Sequence, residues 1–393
     1  MPGDSAKGFF GRVRPWQWIK HSVFTQYLWI WAMKVGSPPQ AKTIWVIDAF
    51  AGAGEFTDTE TGETAAGSPL QAALIAKKYN ELPKKVAAGK ELRLICIERD
   101  PDHCAALKER LKGFDFVEVL EGEFGEHADA IVAKIGTDRA LVLLDPIGLK
   151  SIDAVTCKKL LHRNGKTDAF VNVQFAVVHR TRGQMLPDGE PDPDVQGSAA
   201  NVRNIDAFFG TEAWRKIALS GMSLREQEAA WLQLYYDEVV GWRYSCKHHY
   251  PVKRTFDGKP KYYLVHIADH PDADWLINNL LASVESRLFV VSRERENPGS
   301  LTGFADEEDR VRVEDLKRAL GKAAIELIGT QPSRAMQFGQ LCLALRPEFF
   351  GKLKETDYSK AIKALIEKEQ LVREKKGLHP ALKPDEVISL PPV

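Results

Sequence analysis

The stretch "WVIDAFAGAGEF" at residues 45–56 decides the fold of this chain. An apolar run ends in Asp48, and small residues follow with Gly52 and Gly54 two positions apart. This pattern predicts a buried strand that leads into a tight turn, where glycine lets the backbone bring its amide groups close to a ligand. On the motif alone, a turn that only packs tightly is an equal alternative.

Short apolar runs alternate with helix-like segments along the chain after this turn. Further strands are predicted at residues 92–98, 116–124, 139–145 and 168–175. The alternation is typical of βαβ units, which form a parallel sheet with helices on both faces. Asp48, Glu98 and Asp145 end three of these strands, so we expect them at the carboxyl edge of the sheet, where ligands bind in open α/β folds.

The composition indicates a globular chain with more than one domain. Its 393 residues exceed the usual size of a single domain, and 44% hydrophobic with 27% charged residues is ordinary for a soluble protein. The 54 basic residues balance the 54 acidic ones, so any affinity for nucleic acid must come from a local patch. The longest apolar segment, "VFTQYLWIWAMKV", is too short to span a membrane.

The five cysteines indicate a cytoplasmic protein. None forms a CxxC pair and their number is odd, which favours reduced thiols over a disulfide framework. The same spacing argues against a cysteine-based zinc site, and no metal site is predicted. Residues 1–18 contain no apolar central region, so no secretory leader is predicted there.

The pattern divides the chain into four parts. Residues 1–40 are predicted to form a helical segment that packs on the core, and residues 41–291 form the sheet domain. A helical insertion at about 176–240 precedes a last β-hairpin in that domain. Residues 292–310 are charged, contain Gly and Pro and lack periodicity, which predicts a linker to a domain at 311–393.

The C-terminal domain has the outline of a winged helix. Three helix-like segments are followed by a basic tip and a terminal strand pair, as in this variant of the helix-turn-helix. From Arg310 to Val393 there are 16 Lys and Arg residues against 11 Asp and Glu residues, a local net charge of +5. The domain is therefore a candidate for nucleic-acid binding, with a solvated basic face or a protein-docking module as the alternatives.

The glycine spacing narrows the class of cofactor. "DAFAGAG" does not match the dinucleotide pattern GxGxxG, and the chain has no GxxxxGK[ST] loop to grip a polyphosphate. An acid at the position of Glu98 can accept both ribose hydroxyls, and "LEGEF" places Glu123 and Phe124 where an adenine ring can meet an acceptor and an apolar face. A cofactor that carries adenosine without a polyphosphate, such as S-adenosylmethionine, fits this description.

The chain resembles the class I S-adenosylmethionine-dependent methyltransferases over about residues 40–175. More narrowly, it is similar to the three-Cys-motif partner family over roughly residues 15–290. The segments that carry this resemblance, in order, are "WIKHSVFTQYLWIW", "VIDAFAGAGEF", "GSPLQAAL", "LLDPIGLK" and "KYYLVHIAD". The resemblance implies an α/β fold with a Rossmann-like class I methyltransferase sheet.

The resemblance also implies which residues hold the cofactor. Asp48 and the two glycines would line its methionine and ribose end, and Glu98 would hold the ribose hydroxyls. The full set of cofactor residues implied is Asp48, Phe50, Ala51, Gly52, Gly54, Glu98, Arg99, Glu123, Phe124 and Asp145. Asp145 and Pro146 would face the transferred methyl group. Asn172 is the third residue expected at the reacting centre, on its own position: this amide near the carboxyl end of a buried strand either satisfies local backbone groups or reaches the substrate pocket, and the pocket is favoured.

The motif "DPIG" at residues 145–148 departs from the pattern of enzymes that methylate base amines. Those enzymes carry a second proline and an aromatic residue that clamp a flipped base, and this chain has neither. No cysteine lies where a cytosine-C5 nucleophile is expected. These departures disfavour methylation of a base amine or of cytosine C5. The methyltransferase resemblance and the winged-helix outline together lead us to expect a methyltransferase that acts on nucleic acid or on a nucleic-acid-associated substrate. The alternative is a catalytically degenerate binding subunit that acts with a partner protein encoded by a genomic neighbour.

Two further groups have competing interpretations. Lys20 and His21 lie on the first predicted helix, where a solvated face is favoured over a lid above the cofactor. His179, Arg180 and Arg182 follow the fifth strand, where they either bind an anionic substrate or solvate a loop.

Overall fold

The computed structural model describes residues 15–36, 43–57, 64–83, 90–146, 148–298, 303–374 and 381–392. The chain forms two compact units that divide between Ala273 and Asp274. The sequence analysis placed this boundary later, after residue 291. The difference arises because a single long helix, which begins at Pro271 and ends at Glu296, carries the chain across the division.

The first unit is built from helices that alternate with strands. Its helices are α1 (Pro15–Gly36), α2 (Ser68–Asn80), α3 (Pro101–Leu111), α4 (Phe124–Ile135), α5 (Ala154–Leu161), α6 (Phe175–Arg182), α7 (Ser198–Phe209), α8 (Ala213–Ala218) and α9 (Leu224–Tyr235), and a π-helical segment follows at Tyr236–Val240. Its strands are β1 (Thr43–Asp48), β2 (Glu55–Thr57), β3 (Thr64–Ala66), β4 (Glu91–Glu98), β5 (Val117–Glu121), β6 (Arg139–Leu144), β7 (Thr167–Val173), β8 (Cys246–Lys253) and β9 (Pro260–Ala268).

Seven of these strands form the central sheet in the order β5-β4-β1-β6-β7-β9-β8. The first five in this order are mutually parallel, and β9 is antiparallel to both of its neighbours. The predicted fold class is confirmed: the sheet is Rossmann-like and of the class I methyltransferase type, with helices on both faces. Because β1, β4 and β6 are parallel neighbours, the acids that end them or follow them lie along one edge.

The core follows from the apolar runs of the sequence. In β1 every residue from Ile44 to Asp48 is buried, as expected for a parallel strand covered on both faces. The helices of the predicted insertion share this core, because Phe208, Trp214 and Trp231 pack in the same buried cluster as the central strands. Local caps fix the helices: the Asp153 side chain accepts from the Thr156 amide at 2.8 Å and begins α5.

The second unit continues from the helix across the division, α10 (Pro271–Glu296). It contains three more helices, α11 (Phe304–Gly329), α12 (Phe338–Phe349) and α13 (Glu355–Glu367), and strands β10 (Ala335–Gln337), β11 (Val372–Arg373) and β12 (Val387–Ser389). The strands form an antiparallel sheet in the order β10-β12-β11, over a core that includes Leu320, Leu341, Tyr358 and Ile388. Much of the predicted linker is helical, because α10 ends at Glu296 and α11 begins at Phe304.

Two findings bear on the environment of the chain. All five cysteines are buried free thiols. Within the part of the chain that the structure describes, no helix is long and apolar enough to cross a membrane.

Candidate functional site

A pocket of about 300 Å³ lies at the carboxyl edge of the central sheet. We call it the edge pocket, and its lining residues are Ala49, Phe50, Gly52, Ala53, Glu55, Ile97, Glu98, Arg99, His103, Gly122, Glu123, Phe124, Asp145 and Ser151. They follow or end strands β1, β4, β5 and β6. Seven of them were predicted from the sequence as cofactor residues, so the fold brings these seven together around one cavity.

The two glycines of the turn after β1 have different environments. Gly52 has a φ of +62°, and a Cβ added there would meet no atom within 4 Å, so the backbone on this side of the turn is open. Gly54 has a φ of +84°, and an added Cβ would lie 2.9 Å from Cδ1 of Leu107. Gly54 does not line the edge pocket; its small size lets the turn pack on α3. The Ala51 amide donates to the Ile97 carbonyl at 2.9 Å and holds the turn to β4.

Glu98 ties this turn to the next βα connection. Its Oε2 accepts from the Gly52 amide at 2.7 Å, and its Oε1 accepts from the Asp100 amide at 2.9 Å. The carboxylate therefore has a fixed orientation at the wall of the edge pocket. Each oxygen retains a second lone pair, so both can still accept a hydrogen bond from a ligand hydroxyl.

Asp48 lies behind the turn and not in the pocket wall. It is 2% exposed, and its Oδ1 accepts from the Phe50 amide at 3.3 Å. Its Oδ2 is buried without a hydrogen-bond partner among the described residues. Burial raises the pKa of Asp48 to about 6, although the neighbouring Ser68 side chain and the hydrogen bond from the Phe50 amide act in the opposite direction. A carboxylate in this state gains from any cationic N–H group that reaches it.

The far end of the edge pocket is formed at the start of α4. The Glu123 amide donates to Oε2 of Glu126 at 2.8 Å, which fixes the first turn of the helix. Phe124 is almost fully buried and meets Phe50 edge to face, with ring centroids 6.1 Å apart. Nη1 of Arg99 lies 3.9 Å from Oε1 of Glu123. Both side chains are more than half exposed, so this ion pair is weak.

Asp145 is held from two sides. Its Oδ1 accepts from Nδ2 of Asn172 on β7 at 2.6 Å, and its Oδ2 pairs with the ammonium of Lys20 on α1. The Asn172 Oδ1 atom is buried and has no partner among the described residues. Asn172 and Pro146 are buried and do not line the edge pocket, so of the three residues predicted at the reacting centre only Asp145 does.

Lys20 lies at the site, although the sequence analysis favoured a solvated face for it over a position above the cofactor. It was expected on a solvated face, yet its side chain is only 17% exposed. A signal was present in the sequence: Lys20 precedes Phe24 and Leu28 at spacings of four residues, and both of these are buried. Its pairing with Asp145 crosses 125 residues of chain, which no local pattern indicates.

Two neutral groups surround this ion pair. The pKa of His21 is lowered to about 3, first by burial and then by the positive charge of Lys20, while Asp145 acts in the opposite direction. The pKa of Tyr262 on β9 is raised, first by burial and then by the negative charge of Asp145. Near neutral pH the imidazole and the phenol are therefore both uncharged.

His179 has an acidic partner instead of an anionic ligand site. Its Nε2 lies 3.1 Å from Oε1 of Glu228, and the Tyr263 hydroxyl donates to Oε2 of the same carboxylate at 2.6 Å. A carboxylate so placed repels an anion, which disfavours binding of an anionic substrate at His179.

Several lining residues had no counterpart in the prediction. They are Ala49, Ala53, Glu55, Ile97, His103, Gly122 and Ser151. Most lie in βα connections next to a predicted residue, so the strand order, and not a motif, brings them to the pocket. Among the residues that the structure describes, no group of three or more His, Cys, Asp or Glu side chains could hold a metal ion.

Comparison with known proteins gives a weak result. No family model matches the sequence, and no curated protein matches it. Solved structures to which the chain is similar include protein LPL1258 from Legionella pneumophila, at 12% identity over 72% of this chain and 94% of that one, with a TM-score of 0.39. An O-methyltransferase from Bacillus cereus in complex with S-adenosylhomocysteine matches at 12% identity over 62% and 80% of the two chains, with a TM-score of 0.30.

A third similar structure is the methyltransferase PaMTH1 from Podospora anserina, bound to S-adenosylhomocysteine. It matches at 14% identity over 64% of this chain and 87% of that one, with a TM-score of 0.28. Matches at these scores carry no argument about function, and the fold assignment rests on the strand order of the sheet.

Proposed function

We propose that this chain is an S-adenosylmethionine-dependent methyltransferase whose cofactor lies in the edge pocket. The observation that carries the proposal is the convergence of an open glycine turn and three acids at one edge of the sheet. Asp48 lies behind the turn with an oxygen that has no partner among the described residues, and its negative charge would favour the ammonium of the methionine moiety. The lone pairs of Glu98 fit two ribose hydroxyls, and Phe50 with Phe124 offers an apolar surface to adenine.

When bound, the cofactor supplies a methyl group activated on a sulfonium. The protein contributes position and electrostatics: Glu98 orients the ribose, and Asp48 attracts the ammonium. Asp145 accepts a hydrogen bond from the acceptor and is itself kept in place by Asn172 and Lys20.

We also propose that the acceptor is a nucleic acid or is bound to one, through a winged helix in the second unit. The order of its last elements, helix–strand–helix–helix–strand–strand, supports this proposal. So does an open groove of about 710 Å³ between α11 and α13, whose basic lining residues are Lys317, Arg318, Lys322, Lys360 and Lys368. The pairing of Lys317 with Glu314 at 2.7 Å reduces the net charge that the groove presents.

The proposal includes three further points: the family of the chain, a partner protein and the cellular location. Membership of the three-Cys-motif partner family rests on the sequence segments quoted above. A partner protein encoded by a genomic neighbour is proposed from the resemblance to that family. A cytoplasmic location is proposed from the buried free cysteines.

A degenerate binding subunit is the second candidate function. The observation that favours it is the engagement of both Asp145 oxygens, by Lys20 and by Asn172, together with the absence of a base clamp after Pro146. The intact glycine turn and the ordered Glu98 favour the enzyme.

Calorimetric titration of the full chain with S-adenosylmethionine tests the proposal. We expect micromolar binding by the wild type and a loss of at least tenfold in Glu98→Ala, because both the ribose contact and the turn it orders are lost, roughly two hydrogen bonds. Asp129→Ala is the matched control, since this carboxylate is 76% exposed and pairs with Lys159 on the surface. No binding by the wild type would contradict the enzyme and favour the binding subunit.

A further inference from the structure

The ion pair between Lys20 and Asp145 places a compensated charge at the wall of the edge pocket. The two side chains are 17% and 18% exposed, so the pair is largely shielded from water. Asp145 lines the pocket, whereas the ammonium of Lys20 approaches it from α1. A partly buried pair of this kind is screened little by salt and acts strongly on neighbouring charges.

The groups around the pair leave its charge balance simple. His21 and Tyr262 are uncharged near neutral pH, as argued above from the shifts of their pKa values. Asp48 is a charged neighbour among the described residues, and its carboxylate interacts with both members of the pair. Lys20 is therefore the group that offsets the negative charge of Asp145 at this end of the pocket.

Methyl transfer makes such compensation useful. As the acceptor atom forms a bond to the methyl carbon, the bond from sulfur breaks and its electron pair stays on sulfur. The sulfonium becomes a neutral thioether, and the proton that the acceptor loses passes to water. A bare carboxylate beside the sulfonium would stabilise the starting cofactor more than the transition state, because the positive charge on sulfur declines along the reaction.

We infer that Lys20 is a positioning residue of this site, which lets Asp145 orient an acceptor without holding the positively charged cofactor too tightly. The inference rests on the proposed function. It assigns a role to helix α1 as well, since α1 supplies the cation that sets the preference between cofactor and product. The measurable consequence is the ratio of affinities for S-adenosylmethionine, which is positively charged at sulfur, and S-adenosylhomocysteine, which is neutral there.

Calorimetric titration of the full chain with these two compounds tests the inference. In Lys20→Met, the uncompensated carboxylate attracts the sulfonium, so we expect the affinity ratio to shift toward S-adenosylmethionine by roughly three- to tenfold. Lys20→Arg keeps the charge and should keep the ratio. In the background of Asp145→Asn, the change Lys20→Met should lose this effect, because the carboxylate it compensates is gone.

Lys34→Met is the matched control on the same helix. Lys34 pairs with Asp272 at 2.9 Å near the other end of α1, and its side chain is 53% exposed. This variant should leave the ratio unchanged. If Lys20→Met does not fold, as judged by its thermal unfolding, Lys20→Gln replaces it and carries the same expectation.

The outcomes separate the two proposals. An unchanged ratio in Lys20→Met or Lys20→Gln, with both compounds still bound, overturns the inference and leaves the proposed function standing. Failure of the wild type to bind either compound overturns the proposed function, and the inference with it.

Discussion

Asp48 combines burial, a negative charge and an unpartnered oxygen. Such a carboxylate destabilises the folded chain when it is ionised, because burial removes its hydration and Oδ2 has no described partner to replace it. A site that stores this unfavourable energy can recover it when a cationic group binds. We therefore expect the stability of the folded chain to fall as Asp48 becomes ionised.

The pH dependence of stability tests this property. The folded-state pKa of Asp48 is raised from 3.8 to about 6, so between these values the folded chain binds more protons than the unfolded chain. Its contribution to the free energy of unfolding is therefore lost as pH rises through this window. We expect Asp48→Asn to be more stable than the wild type near neutral pH by about 1–3 kcal/mol, and the difference to vanish near pH 4.

Urea unfolding of both proteins at several pH values measures this difference. Comparison with the variant removes contributions common to both, such as that of Asp168, whose pKa is raised to about 7 by burial. A difference that does not change with pH would show that Asp48 is not a buried titrating group.

Helix α1 is joined to the sheet by a buried polar contact as well as by apolar packing. The Tyr27 hydroxyl donates to Oδ2 of Asp168 at 2.8 Å, and its ring meets Phe170 and His266 edge to face. This contact and the pairing of Lys20 with Asp145 fix α1 on the sheet at two points. The position of Lys20 at the edge pocket thus depends on the whole helix.

Removal of the Tyr27 hydroxyl tests the buried contact. Tyr27→Phe leaves a buried carboxylate without its donor, so we expect a loss of about 1–3 kcal/mol in the free energy of unfolding, measured in urea. Tyr79→Phe is the control, because the Tyr79 hydroxyl is buried without a hydrogen-bond partner among the described residues. The two losses should differ by at least 1 kcal/mol, roughly one hydrogen bond; equal losses would refute the role of the Asp168 contact.

The elements of the sheet were predictable because their signals are local. Continuous apolar runs marked β1, β4 and β6, and glycines at 52 and 54 marked the turn. The alternation of strands and helices then implied which edge carries the acids. The pairing of Lys20 with Asp145 and the contact of Gly54 with Leu107 depend on residues far apart in sequence, and no local period reports such contacts.

The division of the chain was harder to predict than its strands. Residues 271–296 form one helix, and the boundary between the two units falls near its start, after Ala273. The change in composition near residue 292 therefore lies close to the end of this helix and not at the boundary. Charge is also distributed unevenly over the molecule, since a chain of zero net charge carries +5 from Arg310 to Val393. The second unit as a whole is neutral, with 19 basic and 19 acidic residues from Asp274 onward, so we assign any affinity for nucleic acid to its basic part from Arg310 onward.

The salt dependence of nucleic-acid binding tests that assignment on the full chain. We expect the combined substitution of Lys360, Lys363 and Lys368 by Ala to weaken duplex binding about tenfold or more, and to reduce its dependence on salt, since each phosphate contact releases counterions. Fluorescence anisotropy with labelled DNA and RNA duplexes at several salt concentrations measures both quantities.

A charge-matched variant of the first unit is the control for this experiment. Three exposed or half-exposed lysines on its surface helices serve for it, namely Lys112, Lys134 and Lys159. If this variant weakens binding as much as the first one, the effect is one of total charge and the second unit has no special role.

A crystal structure of the full chain with S-adenosylhomocysteine decides whether the edge pocket binds the proposed cofactor. We expect the ribose hydroxyls on Glu98, the ammonium on the side of the pocket nearest Asp48 and the adenine beside Phe124. Ligand bound elsewhere, or an edge pocket that stays empty at saturating ligand, would contradict this expectation.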